Sequence, residues 1–223
     1  MNIGIATLHN LYYKDLAYYT YDNNLVEYAK RHSYIIACKQ DNFSTEYLIY
    51  FEKIKFILDT FKDNPDLDWI WWLDCDAMVT NYNIKLENII DNDYDVIMST
   101  DFNGLNCGSF LVKNSNKGKA WLEMIFSQRY VYKFYSHPWP EQIIIMETAR
   151  NYTEILKVVP QKTFNSYYYS LYGSNYGHDG SGLDRLGISG NWQPGDFVIH
   201  FPGYPNNQRI EWIKTFSDNA VIK

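Results

Sequence analysis

Two aspartates one residue apart, Asp74 and Asp76, close an apolar aromatic run, Trp69-Ile70-Trp71-Trp72-Leu73. Their carboxylates are hard oxygen donors that suit Mn²⁺ or Mg²⁺, ions that commonly keep substrate phosphates among their other ligands. A short continuous apolar run reads as a buried strand of a parallel sheet. Ligands of open α/β sheets gather beyond the carboxyl ends of such strands. The competing reading is an acidic turn that caps a following helix, because so short a motif recurs by chance.

A metal site needs a further ligand from elsewhere in the chain, and His200 ends the apolar strand Phe197-Val198-Ile199 in the same kind of position. Lys53 stands on an apparent helix ahead of the aspartates and offers a point charge for phosphate. In Asn103-Gly104-Leu105-Asn106-Cys107-Gly108-Ser109, glycine permits a tight turn or close backbone approach. Asn106 there can donate to and accept from a hydroxyl. Glu141 and Gln142 follow Pro140 at a helix start, where polar side chains can face a ligand or complement the helix dipole.

The elements that would position these groups alternate. Ile3 to Leu8 reads as the first strand and leaves through the polar His9-Asn10. Asp15 to Arg31 carries a helical period, with Asn23 or Asn24 placed to cap a second helix. Tyr34 to Cys38 reads as a strand, and Glu46 to Phe61 as the strongest helix, stopped by Asn64-Pro65. A short helix over Ile84 to Asp91 follows, then strands at Asp95 to Thr100 and Gly108 to Val112. Ser115 to Gln128 is a helix capped by its serine, Pro140 to Met146 starts another, and Leu156 to Pro160 and Phe197 to His200 are late strands. This alternation predicts an α/β fold, a mixed and mostly parallel sheet with helices on both faces. Thr163 to Pro194 has no sustained period and reads as an acceptor or lid loop over the site.

At 223 residues the chain suits one domain, 1–223. Its net charge of −6 and the absence of a Lys/Arg cluster argue against nucleic acid as a partner. Three cysteines without C-x-x-C spacing indicate neither a disulfide framework nor a zinc site. No basic leader and no span of about 20 apolar residues is present, so a cytoplasmic chain without a membrane span is expected. The 21 Tyr, 12 Phe and 7 Trp include many in apparent loops, where aromatic faces can stack on sugars or bases or simply bury apolar area.

Lys53, the run Trp71 to Met78, the segment Leu105 to Leu111, the pair Glu141-Gln142 and the segment Gly195 to Gly203 stand in the order and spacing of glycosyltransferase family 34, the galactosyl/xylosyltransferases. Asn24 to His32 resembles that family's helix ahead of the second strand, and the chain is similar, more distantly, to the glycogenin-like family 8. The resemblance implies a GT-A fold, a Rossmann-like nucleotide-sugar-binding domain. It also implies a UDP-sugar donor, Mn²⁺ (or Mg²⁺), a glycan acceptor and retention at the anomeric carbon. It places Asp74, Asp76 and His200 on the metal, Thr7 near the uridine and Lys53 on the diphosphate or sugar. Asp101 and Asn106 would meet the donor sugar, Gln142 would lie beneath the anomeric carbon, and Glu141 near the acceptor.

Two departures stand out. Pro140 replaces a second acid, and Pro205 replaces a lysine that usually follows the His-x-x-Gly segment, which leaves Arg209 as the nearest cation. The family's Golgi anchor is also missing, which points to a bacterial or viral enzyme or a trimmed chain. A haloacid-dehalogenase-like phosphatase also ends a strand in D-x-D, but usually its first strand, whereas here the motif follows the third. A catalytically inactive sugar-binding relative is the other alternative.

Overall fold

A computed structural model describes residues 1–169 and 181–223. Eight strands are present among the described residues: β1 (Ile3–Leu8), β2 (Ile35–Lys39), β3 (Trp69–Leu73), β4 (Ala77–Val79), β5 (Val96–Thr100), β6 (Leu105–Lys113), β7 (Leu156–Val159) and β8 (Val198–His200). The helices are α1 (Lys14–Ala17), α2 (Val26–His32), α3 (Glu52–Asp63), α4 (Asn116–Ser127), α5 (Tyr132–Tyr135), α6 (Pro140–Thr148) and α7 (Asn206–Asn219).

Six strands form one sheet in the order β2-β1-β3-β6-β5-β7. The β1–β2, β1–β3 and β5–β7 pairs are parallel. Strand β6 runs antiparallel to both neighbours, because the β5–β6 connection is the tight turn Asp101 to Gly104, closed by backbone bonds of 2.8 and 3.3 Å. So short a link can join only antiparallel strands. Gly104 sits in that turn at φ 135, a conformation L side chains rarely adopt.

Strand β3 explains why the sheet has helices on both faces. All five of its residues are buried, and its pleat sends them alternately to two cores. Ile70 and Trp72 pack with Ile54, Ile57, Trp121 and Ile144 from α3, α4 and α6. Trp69, Trp71 and Leu73 pack with Leu25, Tyr28 and Ala29 beneath the N-terminal helical segment. Burying an indole removes 150–250 Å² from water, worth about 4–6 kcal/mol before ordering costs.

A second, two-stranded sheet pairs β4 with β8 antiparallel, with Ala77 opposite His200. This ribbon brings His200 beside Asp76 although 124 positions separate them.

The expected break at Asn23 or Asn24 does not occur. The chain stays helical from Lys14 to His32 through a π-helical segment, Tyr18–Leu25. Asn24 is buried, donating to Val79 O and accepting from Val79 N at 2.8 Å each. A long-range pair of bonds thus takes the side chain that a local cap would have used. The helix expected from Glu46 begins at Glu52, after a single 3₁₀ turn at Ile49–Phe51, because Glu52 is engaged by Lys39 and by the Ser44 amide. Ile84 to Asp91 contains only a 3₁₀ turn, Leu86–Asn88. Helix α7 was not anticipated, although Ile210, Ile213 and Phe216 in it repeat at helical spacing and pack on Phe201 and Trp192.

Ser115 caps α4 as expected, its hydroxyl accepting from the Gly118 amide at 2.9 Å and bonding Asp95 at 2.5 Å. Ser115→Ala is expected to cost about 1 kcal/mol, read as a lower urea midpoint at unchanged slope.

Candidate functional site

The carboxyl ends of β1, β3 and β8 open onto a cleft of about 380 Å³. Its floor holds Asp74, Asp76 and His200, each of which offers a ligand atom within 4.8 Å of the others. The backbone around the aspartates is fixed from several sides. Asp74 N donates to Gly108 O at 2.8 Å, and Phe201 N donates to Asp76 O at 3.0 Å. From the π-helical segment, Thr20 Oγ1 donates to Cys75 O at 2.7 Å while Asn24 holds Val79. Both flanks of Asp76 are therefore pinned by one helical face.

His200 is 2% exposed. Its Nδ1 lies 2.7 Å from Asn165 Oδ1, an acceptor, so Nδ1 carries the proton and Nε2 faces the aspartates. Nε2 stands 3.1 Å from Asp76 Oδ1. Two acceptors held that close call for a proton or a cation between them. Two carboxylates and an imidazole nitrogen oriented by an amide oxygen are a donor set that fits Mn²⁺ or Mg²⁺. The close approach depends on Gly108, where a Cβ would fall 2.4 Å from His200 Cε1.

Lys53 is 6% exposed and reaches the cleft floor from α3. Its Nζ lies 3.1 Å from Asp74, 3.2 Å from Glu141 and 3.3 Å from Cys107 O. Burial acts to lower its pKa, but the adjacent Asp74 and Glu141 charges hold it well above the usual lysine value. On the other side, Arg209 of α7 meets Asp76 at 3.1 Å. Burial would raise the Asp76 carboxyl, yet its neighbours His200 and Arg209 lower it to about 2. The Cys107 thiol is pushed well up by burial and by Glu141, so it sits in the cleft as a neutral group.

Asp101 is buried and receives four donors: the Asn103 and Gly104 amides at 2.6 and 3.2 Å, and Asn106 Nδ2 and the Tyr167 hydroxyl at 2.9 Å each. Burial still leaves its pKa raised, against the pull of these bonds. Gln142 Oε1 accepts from Cys107 N at 3.3 Å. Glu141 is 3% exposed, and its Oε2 has no hydrogen-bond partner among the described residues.

The cleft thus gathers Lys53, Asp74, Asp76, Asp101, Asn106, Glu141, Gln142 and His200, all singled out from sequence. Thr7 is buried on β1 and does not line the cleft; Leu8, His9 and Asn10 after it do. Neither ring nitrogen of the buried His9 has a hydrogen-bond partner among the described residues. The strand-end rule applied to His200 would have selected it too. Asn165 and Tyr167 lay in the Tyr-rich aperiodic stretch, where no pattern marked them. Within the expected lid loop, Phe164 to Tyr167 is buried, and Ser166 and Tyr167 bridge to Ile199 and Asn191. Residues 170–180 of that loop lie outside the described residues.

The sequence profile of the galactosyl transferase GMA12/MNN10 family matches residues 13–94 and 88–211. An alpha-1,2-galactosyltransferase of Schizosaccharomyces pombe is 27% identical over 224 residues, 81% of this chain and 54% of the relative. MNN10 of Saccharomyces cerevisiae, described as a probable alpha-1,6-mannosyltransferase, is 31% identical over 134 residues, 45% of this chain and 34% of the relative. The chain therefore spans about half the length of the first and a third of the second. A glycosyltransferase involved in glycosylation of the major capsid of PBCV-1 has the same fold, with a TM-score of 0.76 at 17% identity over 96% of this chain and all of that one. No helix among the described residues is long and apolar enough to cross a membrane.

Proposed function

The chain belongs to the galactosyl transferase GMA12/MNN10 family, and from that premise we propose that residues 1–223 form one GT-A unit that transfers a sugar from a UDP-sugar to a hydroxyl acceptor, with metal dependence and retention. The observation that carries this reading is the convergence of Asp74, Asp76 and His200 with Lys53 and Gln142 in one cleft. The names of the relatives favour a hexosyl group, galactosyl first.

Asp74, Asp76 and His200 would hold Mn²⁺ or Mg²⁺, which when bound supplies Lewis-acid stabilisation of the diphosphate leaving group. Lys53, kept protonated between Asp74 and Glu141, adds positive charge at the same end. Asn106, oriented by Asp101 and Tyr167, meets the donor sugar. Glu141 Oε2, buried without a partner among the described residues, is placed to accept from an acceptor hydroxyl. Gln142, neutral and tied to Cys107, lies beneath the anomeric carbon and stabilises developing charge by its dipole.

These assignments favour front-face substitution, in which the leaving phosphate takes the acceptor proton. A covalent double displacement would need Asp101, a carboxylate already engaged by four donors, or Glu141, a carboxylate paired with Lys53 at 3.2 Å, to attack the anomeric carbon. Of the described part of the expected lid loop, Tyr167 lines the cleft and bonds Asn106 at 2.9 Å.

A thermal-shift screen of nucleotide sugars with and without Mn²⁺ tests the reading. A UDP-sugar at 100 times its dissociation constant is expected to add about 2.7 kcal/mol, and only with the metal present. Equal stabilisation by UDP-sugars in EDTA would count against the metal site.

A further inference from the structure

Four carboxylates line the cleft: Asp101 is met by four neutral donors, and Asp74, Asp76 and Glu141 are answered by two permanent cations, Lys53 and Arg209. Their settings differ. Lys53 is locked between two carboxylates and a carbonyl. Arg209 has one carboxylate partner, Asp76 at 3.1 Å from its Nη2, while its Nε donates to Phe201 O at 2.9 Å. Its position follows from Pro205. That proline precedes the first residue of α7, and the Arg209 amide bonds back to Pro205 O at 3.1 Å. The guanidinium therefore enters the cleft from one turn inside the helix, past Gly203.

We infer that Arg209 binds the donor's diphosphate and couples cation binding to diphosphate binding. The inference rests on the nucleotide-sugar reading above and goes beyond it, to how the site loads. Asp76 is the shared element, because both Arg209 and a cation on the triad draw on its charge. A cation arriving alone meets a carboxylate already compensated, with a guanidinium beside it. A diphosphate changes the balance, since its oxygens give the planar fork of Arg209 a bidentate partner and free Asp76 for the cation. Each ligand then raises the affinity of the other, and linkage requires the two factors to be equal.

The test measures Mn²⁺ binding by the electron paramagnetic resonance signal of the free ion, with and without UDP, in the wild type, Arg209→Met and Arg209→Lys. Methionine keeps an apolar stem and removes the charge. In the wild type, UDP is expected to tighten Mn²⁺ binding about 10- to 100-fold. In R209M, Mn²⁺ alone should bind at least as tightly as in the wild type, while the UDP enhancement falls by about tenfold or more and the Mn²⁺ enhancement of UDP binding falls by the same factor. R209K should lie between. A folded R209M that keeps the full enhancement overturns the inference and leaves the nucleotide-sugar reading standing. A wild type that binds neither Mn²⁺ nor UDP overturns that reading itself. Should R209M melt early, R209K with wild-type melting decides, a reduced enhancement supporting the inference and an unchanged one contradicting it.

Discussion

Asp76→Asn is expected to lower transfer by about 10³-fold and to abolish its response to Mn²⁺ while the protein stays folded. The substitution keeps the size of the side chain, but it removes the charge that faces His200 at 3.1 Å and Arg209 at 3.1 Å. A cation acting as Lewis acid on a leaving group contributes several kcal/mol to the transition state, and about 4 kcal/mol corresponds to the predicted factor. The backbone bonds from Thr20 to Cys75 and from Asn24 to Val79 do not involve the Asp76 side chain, so the strand ends should keep their places. Steady-state rates across a Mn²⁺ titration, with circular dichroism as the folding control, provide the measurement. A variant that retained metal-stimulated turnover within tenfold of the wild type would remove Asp76 from the site.

Lys53→Met should act mainly on stability. Nζ of Lys53 is the cation between Asp74 and Glu141, and Glu141's side chain is 4% exposed. Removing one partner of a buried ion pair leaves an uncompensated charge and costs about 3–5 kcal/mol. Asp74, whose side chain is 31% exposed, can turn toward water, whereas Glu141 cannot. The sign with pH follows from the direction of the Lys53 shift. Its folded pKa is held above 10.5, so its contribution is complete below the ordinary lysine range and is lost only as pH rises through the raised value. Urea unfolding should therefore show the full difference between wild type and variant at pH 7 and at pH 9. A difference under about 1 kcal/mol would mean that the Lys53 pairs carry little of the cleft's stability.

Much of the architecture is written locally. The buried run of β3, the serine cap of α4 and the proline that opens α6 act over a few residues, and each appears where its pattern placed it. The cleft was legible for a related reason, since carboxyl ends of strands are where polar residues following apolar runs accumulate. What escaped depends on distant partners. Nothing near Asn24 states that its amide will pair with Val79 instead of capping a helix. The reversed direction of β6 follows from a turn whose key acceptor, Asp101, is satisfied in part by Tyr167, 66 positions away. Asn165 orients His200 from a stretch with no period. Arg209 was visible only as the nearest cation after Pro205; its bond to Asp76 needs the fold of α7 against β4 and β8.

The central claim, metal-dependent sugar transfer from a UDP-sugar, is tested most directly by incubating the protein with UDP-galactose, Mn²⁺ and a panel of methyl glycosides, and following released UDP and the new glycoside by mass spectrometry and proton NMR. UDP release is expected with a product one hexose heavier, the new linkage in the α configuration of the donor, silenced by EDTA and restored by Mn²⁺. A folded protein that yields no product and no UDP from UDP-galactose or any other UDP-hexose or UDP-pentose, with Mn²⁺ present, would contradict it.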